Sequence, residues 1–359
     1  MRRFIARFSQ TTRRESIESF QAILSSGATY NGRYRIIGKL GEGQHATVWQ
    51  AEDVSRTEPQ VAIKVLSTHV TSLQGTAAFE GDILRRNAQT SAPGSRHLLR
   101  LLDQFTINAA HGTHQCFVTD LCATKTLDDQ QRSASGARLP LPLHFVQRVS
   151  RQLLEALTVL HDECHVIHTD IKPDNILFSA TDSDLQQTTT GTNFDIILAD
   201  FGTAIPDDRP RSFPIQPVAL RAPEVLLGCN WNAAADIWNV GCLVFELVAG
   251  TPLFRPEPYA SCSAEQFHFA RILATMGEHD DPARLREFFK NGRNYNVFYA
   301  ADDDVLLQAP PEPLQTILPL YDVNDDQLLH FLTSMLRVLP DDRASARDLL
   351  RHPWLNVSY

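Results

Sequence analysis

The stretch Val166-Ile-His-Thr-Asp-Ile-Lys-Pro-Asp-Asn-Ile-Leu-Phe178 decides how the rest of the chain is read. It sets His168, Asp170, Lys172 and Asn175 in one short polar loop between two apolar runs. Such a loop holds a carboxylate base, a cation two residues on, and a carboxamide that can face a metal. Phosphoryl transfer asks a protein for positioning and charge neutralisation more than for covalent chemistry, and these groups supply both. The same chemistry needs further parts, in a fixed order, on either side of the loop.

Upstream, Leu40-Gly-Glu-Gly-Gln-His-Ala-Thr-Val48 fits the pattern G-x-G-x-x-G-x-V, except that Ala46 stands at the third glycine. Glycines there let backbone N–H groups come close to phosphate oxygens. Strand patterns at 33–40 and 47–51 make this a hairpin, which excludes the dinucleotide-binding motif with its helix after the glycines. Alone, a Gly-x-Gly hairpin is equally a structural turn. Val61-Ala-Ile-Lys64 follows on a third, apolar strand. A lysine there is costly to bury unless an anion meets it. The phosphates of a nucleotide would do so, and so would Glu80 from the helical pattern at 76–87. Taken alone, Lys64 reads equally well as an edge-strand surface lysine.

Downstream, Leu198-Ala-Asp-Phe-Gly202 ends a strand in an aspartate. Asp200 can ligate a magnesium ion bridging phosphates, with Asn175 at a second metal position. Arg221-Ala-Pro-Glu224 closes the segment that would bind the acceptor. Asp236 is expected to hold the opening loop through backbone hydrogen bonds, and Arg343 to pair with a buried Glu224. Both roles are structural.

Around these motifs, strand patterns at 98–105 and 115–121 complete five strands and one helix, a small β-rich lobe. A polar connection over 124–143, with a short helix, leads into a long helix marked by Phe145, Val149, Leu153, Leu157 and Leu160. Residues 182–193 read as a surface loop, and 235–248, apolar all round, as a buried central helix. The segment 255–320 reads as irregular, and 326–338 and 344–351 as two closing helices.

Composition sets wider bounds. The chain has 359 residues and a formal charge of −9, which argues against broad nucleic-acid binding and suits basic substrates. It is equally the charge of an ordinary, mildly acidic protein. Six cysteines show no C-x-x-C pairing, so neither a zinc site nor a disulfide framework is expected. No apolar run is long enough to span a bilayer. The first fourteen residues carry five arginines and no acid. They read either as a basic tail ahead of the domain or as a mitochondrial presequence.

With the motifs in order, the chain resembles the eukaryotic protein kinases from about residue 34 to 355. The resemblance implies an α+β, bilobal fold: a β-rich N-lobe at 34–122, with a five-stranded antiparallel sheet and one helix, and a mainly helical C-lobe at 123–355. Residues 1–33 would be a partly disordered basic tail and 356–359 a short C-terminal one. ATP and Mg²⁺ are the implied cofactors. Asp170 would take the proton of the acceptor hydroxyl, Lys172 would steady the phosphoryl group, and Lys64, paired with Glu80, would bind phosphates. Asn175 and Asp200 would hold magnesium. Leu40, Gly41, Glu42, Gly43, Gln44, His45, Ala46, Thr47 and Val48 would cover the nucleotide. Ala62 and Leu177 would sandwich adenine with Leu40 and Val48; backbone at Asp120 to Cys122 would bind its edge, with Thr119 as gatekeeper.

Asp170-Ile-Lys172 resembles the serine/threonine kinases. Thr169, Thr47-Val-Trp49 and Ile215-Gln216 are similar to the SR-protein kinases of the CMGC group, which act on Arg/Ser-rich proteins, and the chain reads as a compact, divergent relative. Pro217-Val-Ala-Leu220 departs from the group's Thr-Arg-aromatic-Tyr pattern. Thr169 stands where regulated kinases carry an arginine that needs an activation-segment phosphate to balance it. Between Gly202 and Glu224 the hydroxyls are Thr203 and Ser212. The expectation is a monomeric serine/threonine kinase of the cytoplasm or nucleus that needs no such phosphate and binds neither nucleic acid nor membrane. The rival readings are a pseudokinase scaffold and a small-molecule phosphotransferase.

Overall fold

Strand alternation builds the first lobe. In a computed structural model, residues 23–43, 45–56, 60–76, 78–179, 194–209, 214–257, 262–277 and 280–356 are described. Gln44, Ser212, the insert at 182–193 and the basic stretch at 1–14 lie outside them. Strands β1 (Thr29–Tyr30), β2 (Tyr34–Glu42), β3 (Ala46–Asp53), β4 (Gln60–Leu66), β5 (Leu101–Ala109) and β6 (Gly112–Asp120) form one antiparallel sheet in the order β1-β2-β3-β4-β6-β5. The sheet therefore has six strands where five were expected. The extra one is a two-residue edge strand ahead of Tyr34, too short to carry an alternation signal. Val61, Ile63 and Val65 point to one face and pack with Tyr34, Ile36, Cys116 and Val118 in a small core. Ala62 and Lys64 point to the other face, toward the second lobe.

Two helices attach to this sheet rather than one. Helix α1 (Thr68–Leu73) is capped by the Ser67 side chain, and α2 (Glu80–Gln89) begins four residues later than the helical pattern suggests. A Cβ on Gly81 would lie 2.9 Å from the Phe117 ring, so glycine is what lets α2 approach the sheet this closely.

The second lobe is helical. It runs through α3 (Leu127–Gln131), α4 (Leu143–Asp162), α5 (Pro223–Leu227), α6 (Ala234–Ala249), α7 (Ala264–Met276), α8 (Pro282–Phe289), α9 (Tyr295–Phe298), α10 (Leu314–Ile317), α11 (Asp326–Met335) and α12 (Ala346–Leu349). Residues 235–249 of α6 are buried throughout, as an all-round apolar helix requires. The segment read as irregular holds four of these helices. Two of them start at capping residues: Ser263 and Gln266 form a reciprocal capping box on α7, and Asp281 caps α8 with Pro282 at its first position.

Two short ladders sit between the lobes. Strand β7 (Val166–Ile167) pairs with β10 (Ile205–Pro206), and β8 (Ile176–Phe178) with β9 (Ile196–Leu198). They clamp the opening motif of the sequence against the segment that begins at Asp200.

Candidate active site

Lys64 is placed by β4. Across the ladder it faces Val48 on β3 and Phe117 on β6, while Ala62 faces Thr119, so these side chains share the face toward the cleft. The Lys64 ammonium lies 2.6 Å from Glu80 Oε1 and 2.8 Å from Asp200 Oδ1. Burial alone would lower the Lys64 pKa, but the two carboxylates more than reverse this and hold the ammonium charged. The Lys64 charge in turn holds Asp200 down at about 2 against its own burial. Glu80 is 3% exposed, and burial raises its pKa while Lys64 opposes. One cation thus ties β4, α2 and the end of β9 together.

The loop 168–175 is held from below. Asp236, fully buried at the start of α6, accepts from the backbone N–H of His168 and of Thr169, both at 2.8 Å, and pairs with His161 Nε2 at 2.8 Å. His168 is buried, its Nε2 is 3.1 Å from the Ala199 carbonyl, and its ring meets Phe201 edge-on at 5.1 Å. Burial lowers its pKa, so the imidazole is neutral and acts as a brace. With the base of the loop fixed, Asp170 is oriented from two sides. Lys172 Nζ donates to its Oδ2 at 2.8 Å, and Asn175 Nδ2 donates to its carbonyl and its Oδ2 at 2.8 and 3.0 Å.

Asn175 and Asp200 are brought together by the β8–β9 pairing. The Ala199 N–H donates to the Asn175 carbonyl at 2.9 Å, which seats Asp200 beside the loop. Asp200 has a left-handed backbone (φ 60°), and half of its side chain is open to solvent. Asn175 spends its amide N–H groups on Asp170, so its Oδ1 is the atom that could face a cation. Carboxylate and amide oxygens are the hard donors magnesium takes, and magnesium usually completes its shell with phosphates and water. Among the described residues no group of three or more His, Cys, Asp or Glu side chains is placed to hold a metal ion.

The hairpin loop covers this site. The Gly43 N–H donates to the Ala46 carbonyl at 2.9 Å, and the Ser67 N–H to the His45 carbonyl at 2.8 Å, tying the loop tip to α1. A Cβ on Gly41 would meet nothing within 4 Å, so open space lies beside it. Ala46 is buried against the main core, which accounts for a side chain where the pattern has a glycine. Thr47 Oγ1 accepts from Trp49 Nε1 at 3.0 Å, the internal bond of the Thr-Val-Trp motif. At the back, Thr119 is buried, Leu177 is half-buried, and the Cys122 thiol is pushed up to about 12 by burial. Leu40 and Glu42 are exposed at the mouth, and Asp120 pairs with Arg100 at 3.2 Å.

The segment from Asp200 to Glu224 is fixed at both ends. Near its start, Thr169 Oγ1 is 3.0 Å from the Thr203 carbonyl and 3.1 Å from Thr203 Oγ1. At its far end Glu224 and Arg343 form a bidentate pair, 2.7 Å on each arm and fully buried, with the guanidinium 5.0 Å above the Trp238 ring. Three anchors have partners distant in the chain, and of them only Gln216 stood out in the sequence, within Ile215-Gln216. Gln216 Nε2 donates to the Ala235 carbonyl (2.9 Å) and to Asn239 Oδ1 (3.0 Å), and its Oε1 accepts from the Ala222 N–H. Asn239 Nδ2 reaches the Leu220 carbonyl. His268 of α7, fully buried, meets the Arg221 carbonyl at 3.1 Å. Arg221 itself closes on the carbonyls of Ile215 and Gln216.

Comparison with known proteins agrees with this geometry. Residues 34–355 match the family model described as the protein kinase domain. The chain is 27% identical to the serine/threonine-protein kinase SRPK of Physarum polycephalum, over 92% of this chain and 87% of the relative. It is 27% identical to the dual specificity protein kinase CLK1 of Homo sapiens (96% and 70%) and 28% identical to the serine/threonine-protein kinase AFC1 of Arabidopsis thaliana (92% and 73%). A cleft that joins Lys64, Glu80 and Asp200 above Asp170 and Asn175, on a chain matched from residue 34 to 355, leaves one conclusion: this protein belongs to the protein kinase family, as an ATP-dependent serine/threonine kinase of the CMGC group.

Proposed function

We propose that the chain transfers the γ-phosphoryl group of ATP to serine hydroxyls in basic, Arg/Ser-rich protein segments, with no phosphate needed on its own activation segment. The name of the Physarum relative, the acidic net charge and Thr169 support the substrate class. The observation that carries the regulatory half is the Thr169–Thr203 contact. A neutral hydroxyl at that place bonds the activation segment directly, so no buried cation waits for a phosphate.

In this reading Asp170 receives the hydroxyl proton as the acceptor oxygen attacks. Asn175 and Lys172 hold its carboxylate in the orientation that accepts, and Lys172 also neutralises charge on the transferred group. Lys64, kept charged and aimed by Glu80, binds the non-transferred phosphates. Asp200 and Asn175 would hold magnesium, which would supply positive charge at the phosphates. Val48, Ala62 and Leu177 offer the apolar walls for adenine.

Asp170→Ala is expected to lower kcat for peptide phosphorylation by about 10²–10⁴ with the KM for ATP little changed. Turnover that survives the substitution would sink the assignment, and an inactive wild type that still binds partners would favour a scaffold. A positional-scanning peptide array tests the substrate class: arginine next to the acceptor serine is expected, and indifference to it would remove that half alone.

A further inference from the structure

After α3 the chain makes a tight hairpin, Arg132-Ser-Ala-Ser-Gly-Ala-Arg138. The Ser133 N–H donates to the Ala137 carbonyl and the Gly136 N–H to the Ser133 carbonyl, both at 2.8 Å, with Gly136 at φ 81° in the turn. Both arginines turn to Asp128: Arg132 Nε is 2.6 Å from one carboxylate oxygen and Arg138 Nη2 is 2.7 Å from the other. Arg138 also ion-pairs with Glu246 of α6. Asp128 and Glu246 are buried, at 7% and 3% exposure.

This cluster lies beside the catalytic loop, because α3 packs on the turn Pro173–Asn175. Asp174 of that turn is exposed and adds its charge to the field at both Arg132 and Glu246. Burial raises the pKa of Glu246, Arg138 opposes, and Asp128 and Asp174 raise it further. Burial would also raise Asp128, yet Arg132 and Arg138 bring it below the usual carboxylate range. Three carboxylates thus gather beside the catalytic loop, and the chain's own guanidinium groups meet them.

The internal fit is incomplete. Gln131, 1% exposed, donates to the Glu246 carbonyl at 2.7 Å and leaves its Oε1 without a partner, and Arg138 Nε is likewise buried and unpartnered. Buried donors and acceptors are nearly always satisfied. A leftover of each in one cluster points to a second hydrogen-bonding occupant.

We propose that Arg138 is a specificity-determining residue, an internal stand-in for a substrate guanidinium that an arginine of the incoming peptide displaces from Asp128 and Glu246. This rests on the basic-substrate reading above. The hairpin has the composition of such a substrate, with Ser133 and Ser135 between its two arginines. A peptide with one arginine competes against a tethered rival, whereas several arginines gain from multivalency, so selection rises steeply with arginine number.

The test compares kcat/KM for a serine peptide carrying several arginines and for the same peptide with glutamines, in the wild type and in Arg138→Gln. The variant is expected to raise kcat/KM on the arginine peptide about five- to tenfold, through KM, and to move the glutamine peptide less than about twofold. An equal shift on both peptides, or none, overturns the inference. Should Arg138→Gln fail to fold, amide exchange on the wild type decides. An arginine peptide with alanine for serine, bound at saturation, is expected to speed exchange at the Ser133 and Leu139 amides, and unchanged exchange overturns the inference. A wild type that treats both peptides alike refutes the basic-substrate reading and this inference with it. A wild type that prefers arginine, with that preference unmoved in the variant, refutes the inference alone.

Discussion

Thr169 holds a left-handed backbone, φ 71°, that a β-branched residue seldom adopts. The strain, about 1–2 kcal/mol, persists because Asp236 pins its N–H and its hydroxyl reaches Thr203. Thr169→Val keeps the shape and removes the hydroxyl donor. We expect a loss of about 1 kcal/mol in stability and a several-fold lower kcat with an unchanged KM for ATP, read by denaturation and steady-state kinetics. Phosphatase treatment of the wild type should leave turnover as it was; activity lost to phosphatase and regained in Ser212→Asp would refute the direct-contact account. The type of residue at 169 was readable from the chain, but the reason it works was not. Thr203 lies 34 residues on, and what joins the two is the β7–β10 pairing.

Helix α7 shows how an element escapes a reading by period. Proline clusters around it suggested irregular chain, and its start is marked by capping chemistry at Ser263 and Gln266. Its placement matters for the acceptor platform, since it delivers His268 to the Arg221 carbonyl and to the edge of Phe254. Burial lowers His268 from an ordinary 6.5 to about 4. The unfolded chain therefore binds a proton that the folded one refuses. The stabilising effect is complete above pH 6.5 and is lost as pH falls toward 4. Between pH 7 and pH 5 this amounts to on the order of 2 kcal/mol. Urea denaturation at the two pH values should show the difference, and His268→Gln should flatten it; an equally steep loss in the variant would place the effect elsewhere. The strands were easier, because the apolar, β-branched run Val61–Leu66 marks the strand, while the face that Lys64 presents came from the ladder.

At the scale of the molecule, the two lobes meet through charge. Lys64 joins β4 to α2 and to Asp200, so that sheet, helix and catalytic segment share a group. Opposite it, Glu224 and Arg343 close the larger lobe across 119 residues, and breaking such a buried pair typically costs about 3–5 kcal/mol. A ligand bound between the lobes adds to stability by mass action. ADP with magnesium at a hundredfold excess over its Kd should stabilise the fold by about 2.7 kcal/mol, seen as a raised Tm. In Asp200→Asn the magnesium-dependent part of that shift should vanish; a full shift in the variant would remove Asp200 from the metal site.

By itself the sequence determined the family, the order of the parts and most of the elements. Gly-rich turns, alternating strands and an acid–base loop each follow from local covalent and steric chemistry. Only the tertiary structure decided which charges balance. The salt link from Lys64 to Asp200, the hook of Gln216 on Asn239, the reach of Thr169 to Thr203 and the clamp of Arg138 on Asp128 and Glu246 all depend on through-space distance. Coulomb and hydrogen-bond energies fall off within a few ångströms, so residues far apart in the chain acquire their partners when the fold brings them together. The loop 166–178 announced what chemistry to expect, and its neighbours in space supply the geometry.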